Sequence, residues 1–160
     1  MWTHLPSPQP YETERRQWLE QTNENARPKR LNHTFSSHTL LLLIDIELAF
    51  CAGAWLSVIA MSMSAMEAMH RQVISENYAS NAEKLFGDDA ELQWLRGIRN
   101  EIIHAAEPGT PSQIWKMPSD NLVNCHGALE NEAKRAIALT YKVTYMADSI
   151  AKQPHTQATG

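Results

Sequence analysis

Excess positive charge is what this sequence most plainly lacks. Its 14 lysines and arginines are outnumbered by 18 aspartates and glutamates, which leaves a net charge of −4 and a pI near 6.0. That balance excludes a protein that coats nucleic acid through bulk charge, so any contact with a polyanion must come from a local site. Cysteine is also scarce. Cys51 and Cys125 sit in apolar helical surroundings without metal-type spacing, a pattern of buried thiols in a reducing cytoplasm rather than of a disulfide. The opening MWTHLPSPQPYETERRQW holds no apolar signal core, so secretion is not expected and a cytoplasmic location is. No solenoid repeat and no strand-like alternation is visible.

Charge is missing altogether from one long run. Leu48 to Met66, LAFCAGAWLSVIAMSMSAM, is 19 residues without a charge, about the length of a membrane span. Three serines and Gly53 interrupt it, however, and Asp45 and Glu47 stand just before it. A helix buried in a bundle core accounts for all of these features together, so no membrane span is expected.

What is present is helical periodicity. Residues 1–36 read as a polar tail with a possible short surface helix around Trp18 and a basic RPKR cluster, Arg27 to Arg30. Residues 37–152 read as a helical bundle, and 153–160 as a disordered tail. Within the bundle, Ser36 or Ser37 caps a first helix through TLLLLIDIELAFCA, and Gly53 ends it. Trp55, Val58, Ile59, Met66, Met69 and Val73 recur at helical spacing in a second helix, from about 54 to 74. Asp88 or Asp89 caps a third, which Pro108 and Gly109 stop. The fourth starts near Ser119 or Asp120, with Leu122, Leu129, Ala136, Val143 and Ile150 every seven residues as a seam. The expected fold is all-α, a four-helix up-and-down bundle.

An anomaly lies in the third helix. In AELQWLRGIRNEIIHAA, the residues Leu92, Leu95, Ile98, Ile102, Ile103 and Ala106 form the apolar stripe, and Arg99 falls near its centre. Asn100 and His104 lie four apart on the flank of that stripe, and Glu101 points away. A guanidinium cannot shed its charge, so in a core position it needs partners or a cavity. Two bland explanations exist: a buried carboxylate such as Glu47 or Glu67 pairs with Arg99, or the side chain snorkels from the edge of the bundle. The other explanation is an anionic ligand.

The segment LRGIRNEIIHA resembles the Arg-x4-His motif of the HEPN superfamily, an arginine, then usually a polar residue such as asparagine, then three residues and a histidine. Arg99, Asn100 and His104 match all three positions. The preceding helix, GAWLSVIAMSMSAMEAMHR, is loosely similar to its HEPN counterpart, with Ala65, Met66 and Glu67 as an Ala-x-Glu-like step. The likeness spans residues 37–152 in helix order, and only the six-residue motif is specific. The resemblance implies a HEPN-like homodimer with two motifs facing each other across the interface. Many members of the superfamily are metal-independent endoribonucleases, often toxins or defence effectors; others bind RNA or nucleotides without cutting, or act as scaffolds.

The chemistry of the residues agrees with cleavage by 2′-hydroxyl attack. A histidine, with a reference pKa of about 6.5, takes a proton near neutrality, which makes His104 the candidate base. Arg99 supplies fixed donors to the phosphorane, and Asn100 holds the imidazole or a phosphate oxygen. On one helix Arg99 and His104 diverge by roughly 140°, so convergence requires two copies. Arg96, Glu67 and Lys116 are the candidate substrate-binding residues. No cofactor or metal is implied; RNA, a second copy of the chain and an antitoxin or regulatory protein are the implied partners. One position departs from the pattern: where the toxin branch controlled by a nucleotidyltransferase antitoxin usually has tyrosine, this chain has Ala106, so control by modification there is in doubt.

Two other readings remain open. A non-catalytic HEPN adaptor or RNA-binding module fits the acidic balance. Glu67-x-x-His70 and Glu101-x-x-His104, with Glu47 and Glu130 from other helices, resemble the ligand set of di-iron bundles. Against that, the pairs are not on alternate helices and Arg99 would stand beside the metals. His70 and His126 are expected on apolar faces as core histidines; His4, His33, His38 and His155 lie in polar segments.

Overall fold

The computed structural model describes residues 11–28, 35–75, 89–104 and 122–151. Among them are five helices and no strand: α1 (Glu12–Ala26), α2 (Ser37–Cys51), α3 (Trp55–Ser75), α4 (Ala90–His104) and α5 (Leu122–Ala151). The all-α class expected from periodicity is therefore present, with one helix more than the four counted from the sequence.

The fifth is α1, at the place of the possible short helix around Trp18. Its sequence is strongly polar, yet Leu19 is buried in the common core and Trp18 stacks on Phe50 with ring centroids 5.1 Å apart. Arg15 fixes its orientation by donating from Nη1 to the carbonyl of Cys51 at 3.0 Å, at the C-terminus of α2, while its guanidinium lies 4.7 Å over the Trp55 ring. A cation at that helix end meets the negative pole of the dipole, so α1 is docked by charge as well as by packing. At its other end Tyr145 of α5 donates to Asn23. The segment around Trp18 is thus part of the packed body.

Helix α2 begins where the sequence suggests. Ser36 is the N-cap, and its Oγ accepts from the Thr39 N–H at 3.2 Å, satisfying one of the orphan donors of the first turn. It ends at a tight turn in which the N–H of Ala52 reaches Leu48, Gly53 reaches Phe50 and Ala54 reaches Ala49, at 3.0, 3.0 and 2.8 Å. Gly53 has φ +75°, a conformation that costs little only without a Cβ, and a Cβ there would stand 3.2 Å from Arg15 Nη1. The turn splits the uncharged Leu48–Met66 run between two helices. Among the described residues no helix is long and apolar enough to cross a membrane.

Helix α3 is the hub. It packs on α2, α4 and α5, while α1 packs on α5 and α2. The centrality of α3 follows from composition: Val58, Ile59, Met63, Ala65, Met66 and Met69 are all buried, as is the small polar Ser62. Small residues let neighbouring helices approach, and unbranched methionines fill the irregular gaps that remain. On α5 the predicted seven-residue seam is buried at Leu129, Ala136 and Val143. His126 departs from expectation: it is exposed, with its ring 5.8 Å from Trp55.

Candidate functional site

Helix α4 positions the candidate site, and its N-terminus is held firmly. The Asp89 carboxylate accepts from the Glu91 N–H at 2.8 Å, so Asp89 fulfils the expected capping role. Glu91 then takes a two-pronged bond from Arg135 of α5, at 2.8 and 2.7 Å, and the Arg135 guanidinium lies 3.8 Å over the Trp94 ring. These bonds hold the Glu91 carboxyl below the usual carboxylate range, against a smaller opposing effect of burial.

Leu92, Leu95 and Ile98 are buried and Ile102 half-buried, so the packed stripe of α4 is narrower than its apolar sequence suggests. Ile103 is half exposed, at 50%. Arg99 accordingly lies on the shoulder of the stripe, half-buried, and not at its centre. Glu101, expected to point away, is also half-buried. Among the described residues α4 rests on α3 and α5, and those two neighbours set its packed face.

On its exposed side Arg99, Ile103, Arg96, Asn100 and His104 follow one another around the helix, within an arc of roughly 140°. Arg96, Asn100 and His104 are exposed. Arg99 Nη1 donates to the Asn100 side-chain oxygen at 3.1 Å, so Asn100 is engaged with the arginine and not with the imidazole. Arg99 Nε is buried with no hydrogen-bond partner among the described residues. Among the described residues no ion pair joins Arg99 to a carboxylate, and Glu47 is used elsewhere, accepting from the Tyr141 hydroxyl at 2.7 Å.

Of the other residues singled out from sequence, Glu67 is half-buried on α3, and no described contact brings it to Arg99. Lys116, Ala106, Pro108 and Gly109 and the side chains of His70 and Cys125 lie outside the described residues. Glu47 and Glu130 serve Tyr141 and Lys134, and among the described residues no three His, Cys, Asp or Glu groups come together as a metal site.

Sequence reasoning missed a second feature. Between α1, α2 and α5 lies a cleft of about 190 Å³ lined by Arg16, Leu19, Glu20, Asn23, Ile44, Glu47, Leu48, Cys51 and Tyr141. Burial pushes the Cys51 thiol up, and burial together with the Glu47 bond pushes the Tyr141 hydroxyl up, so both stay protonated at neutral pH. The cleft exists because α1 packs, which its polar composition did not reveal. In comparison with known proteins, no family model, no curated protein and no solved structure matches this chain.

Proposed function

We propose that the chain is a metal-independent endoribonuclease of HEPN type that acts as a homodimer, with His104 as general base and Arg99 on the scissile phosphate. The observation that carries this reading is the pair of cations Arg96 and Arg99 on the same helix side as the exposed His104, with no carboxylate paired to Arg99 among the described residues. The guanidinium fork of Arg99 matches the geometry of a phosphate group. Asn100 accepts from Arg99 Nη1, and Arg96 adds a second cation to the same patch. Half-exposed Ile103 between these polar groups supplies an apolar contact for a second copy, whose His104 would then meet the phosphate held by the first. In the reaction His104 takes the 2′-hydroxyl proton, the 2′ oxygen attacks phosphorus, and the bond to the 5′ oxygen breaks as that oxygen takes a proton from water. The products are a 2′,3′-cyclic phosphate and a 5′-hydroxyl. Glu67 and Lys116 remain candidates for substrate contact, and a toxin or defence role with an antitoxin partner belongs to the same reading.

The test is cleavage of total tRNA and of a labelled single-stranded RNA in EDTA, beside His104→Ala and Arg99→Ala. Cutting that survives EDTA, yields cyclic phosphate ends and is lost in both variants supports the proposal. RNA binding without cutting by a folded dimer favours the alternative, a non-catalytic HEPN-type binding module, which the net acidic charge also suits.

A further inference from the structure

Helix α2 shows a second face that its own chain does not cover among the described residues. Leu40, Leu41, Ile44 and Leu48 are 44%, 61%, 51% and 59% exposed, and they form a single stripe at three- and four-residue spacing. Scattered exposed leucines are ordinary; four aligned on one helix are a contact surface. The stripe does not end in open solvent on every side. Ile44 and Leu48 also form one wall of the cleft between α1 and α2.

Charge selects the occupant. Asp45 is exposed on one flank of the stripe, while Glu47 and Glu20 line the cleft on the other. Arg16, the cation in that cleft, already pairs with Glu12 at 2.8 Å. Helix α2 carries no lysine or arginine, so a second copy laid along this stripe would meet its carboxylates with further carboxylates. An anionic lipid surface meets the same repulsion. The surface is complementary to an apolar ridge with cations beside it.

We propose that the α2 stripe and the adjoining cleft form a docking site for an amphipathic helix of another protein, one whose leucine-type ridge is flanked by lysine or arginine. The ridge packs along Leu41, Ile44 and Leu48, and one cationic side chain enters the cleft toward Glu20 and Glu47. Glu47 can accept it while keeping its Tyr141 bond, because a carboxylate offers about four lone-pair sites. This site is on a different helix from the α4 patch, so it does not depend on the nuclease reading.

The probe is a fluorescein-labelled helical peptide with leucine at a and d and lysine at e and g, compared with a matched peptide bearing glutamate at e and g. Full-length protein is expected to bind the lysine peptide at least tenfold more tightly, with affinity falling as salt rises. Ile44→Asp, at an exposed position, is expected to abolish binding with the circular dichroism spectrum unchanged, and Glu20→Gln to weaken it several-fold. Equal binding of the two peptides, or binding of neither, overturns the proposal. So does a dimer in light scattering that Ile44→Asp converts to monomer, which assigns the stripe to a second copy. Peptide binding that appears only after residues 1–10 are removed assigns it to the chain's own N-terminal segment and likewise overturns the proposal. RNA cleavage, if present, is expected to be the same in wild type and Ile44→Asp.

Discussion

Replacing Glu91 with glutamine removes the charge from the clamp that ties the first turn of α4 to α5. The magnitude follows from exposure. The side chains of Arg135 and Glu91 are 42% and 44% exposed, so solvent screens the pair and its value lies in the range of surface ion pairs, about 0.2–1 kcal/mol. Two parallel bonds place it near the top of that range, and Glu91 loses its favourable position in the first turn of α4 as well, another ~0.3–1 kcal/mol. The contact of Arg135 over Trp94 survives the change. Glu91→Gln is therefore expected to cost about 1 kcal/mol, a fall of roughly 2–4 °C in Tm for a chain of this size. The folded-state pKa of Glu91 is depressed, so its contribution is present above the unfolded value, about 4.3, and is lost as pH falls through the folded one. Urea titrations of wild type and Glu91→Gln should differ by a constant amount from pH 6 to 7 and converge in acid, below about pH 4. A difference that persists unchanged at pH 3, or one above about 3 kcal/mol at pH 7, would refute the assignment of a solvent-screened pair.

Other perturbations probe the packing. Gly53→Ala forces a Cβ into φ +75° against Arg15 and should cost about 1–2 kcal/mol; Gly53→Asn should cost less, and equal losses for the two would contradict the left-handed turn. Met66→Ala, at a fully buried position on the hub helix, is expected to lose about 2–5 kcal/mol in denaturant titration, where Leu41→Ala changes stability by roughly half a kcal/mol or less. Ser36→Ala removes the α2 cap and should cost about 1 kcal/mol, with Ser36→Asp restoring most of it. Tyr141→Phe leaves Glu47 without its hydroxyl donor in a half-buried setting, an expected loss of about 1–3 kcal/mol that Glu47→Leu in the same background should partly relieve.

Much of this architecture was written in local signals. Ser36, Gly53 and Asp89 mark helix ends through chemistry that acts within a few residues, which is why the bounds of α2, α3 and the start of α4 could be read directly. Periodicity likewise located Met66 and Leu95 in the core. It failed where composition was uniform or misleading. In LLLLIDIEL almost every position is apolar, so nothing local distinguishes the buried Ile46 from the exposed Ile44. In α1 a single buried leucine, one aromatic and one arginine do the docking, and no stripe betrays them. For the candidate site, the residue types and their succession around α4 were legible, but the shoulder position of Arg99 depended on how α4 sits on its neighbours. The bond from Tyr141 to Glu47, which sets Glu47 in the cleft between α1, α2 and α5, joins residues far apart in sequence and had no local signal.

The attachment of α1 to α5 also bears on how the chain assembles. The Tyr145–Asn23 contact that joins α5 to α1 spans 122 residues and the Tyr141–Glu47 contact that joins α5 to α2 spans 94, while the α2–α3 pair closes through a turn of a few. Loop-closure entropy makes the short pairing the early one and delays the seating of α1, whose docking surface is incomplete until α5 arrives. Of the described helices α1 is therefore the last to be fully seated, and a nascent chain halted before α5 leaves Asn23 without its Tyr145 partner. Pulsed hydrogen exchange during refolding should record that order as protection reaching α2 and α3 well before Leu19.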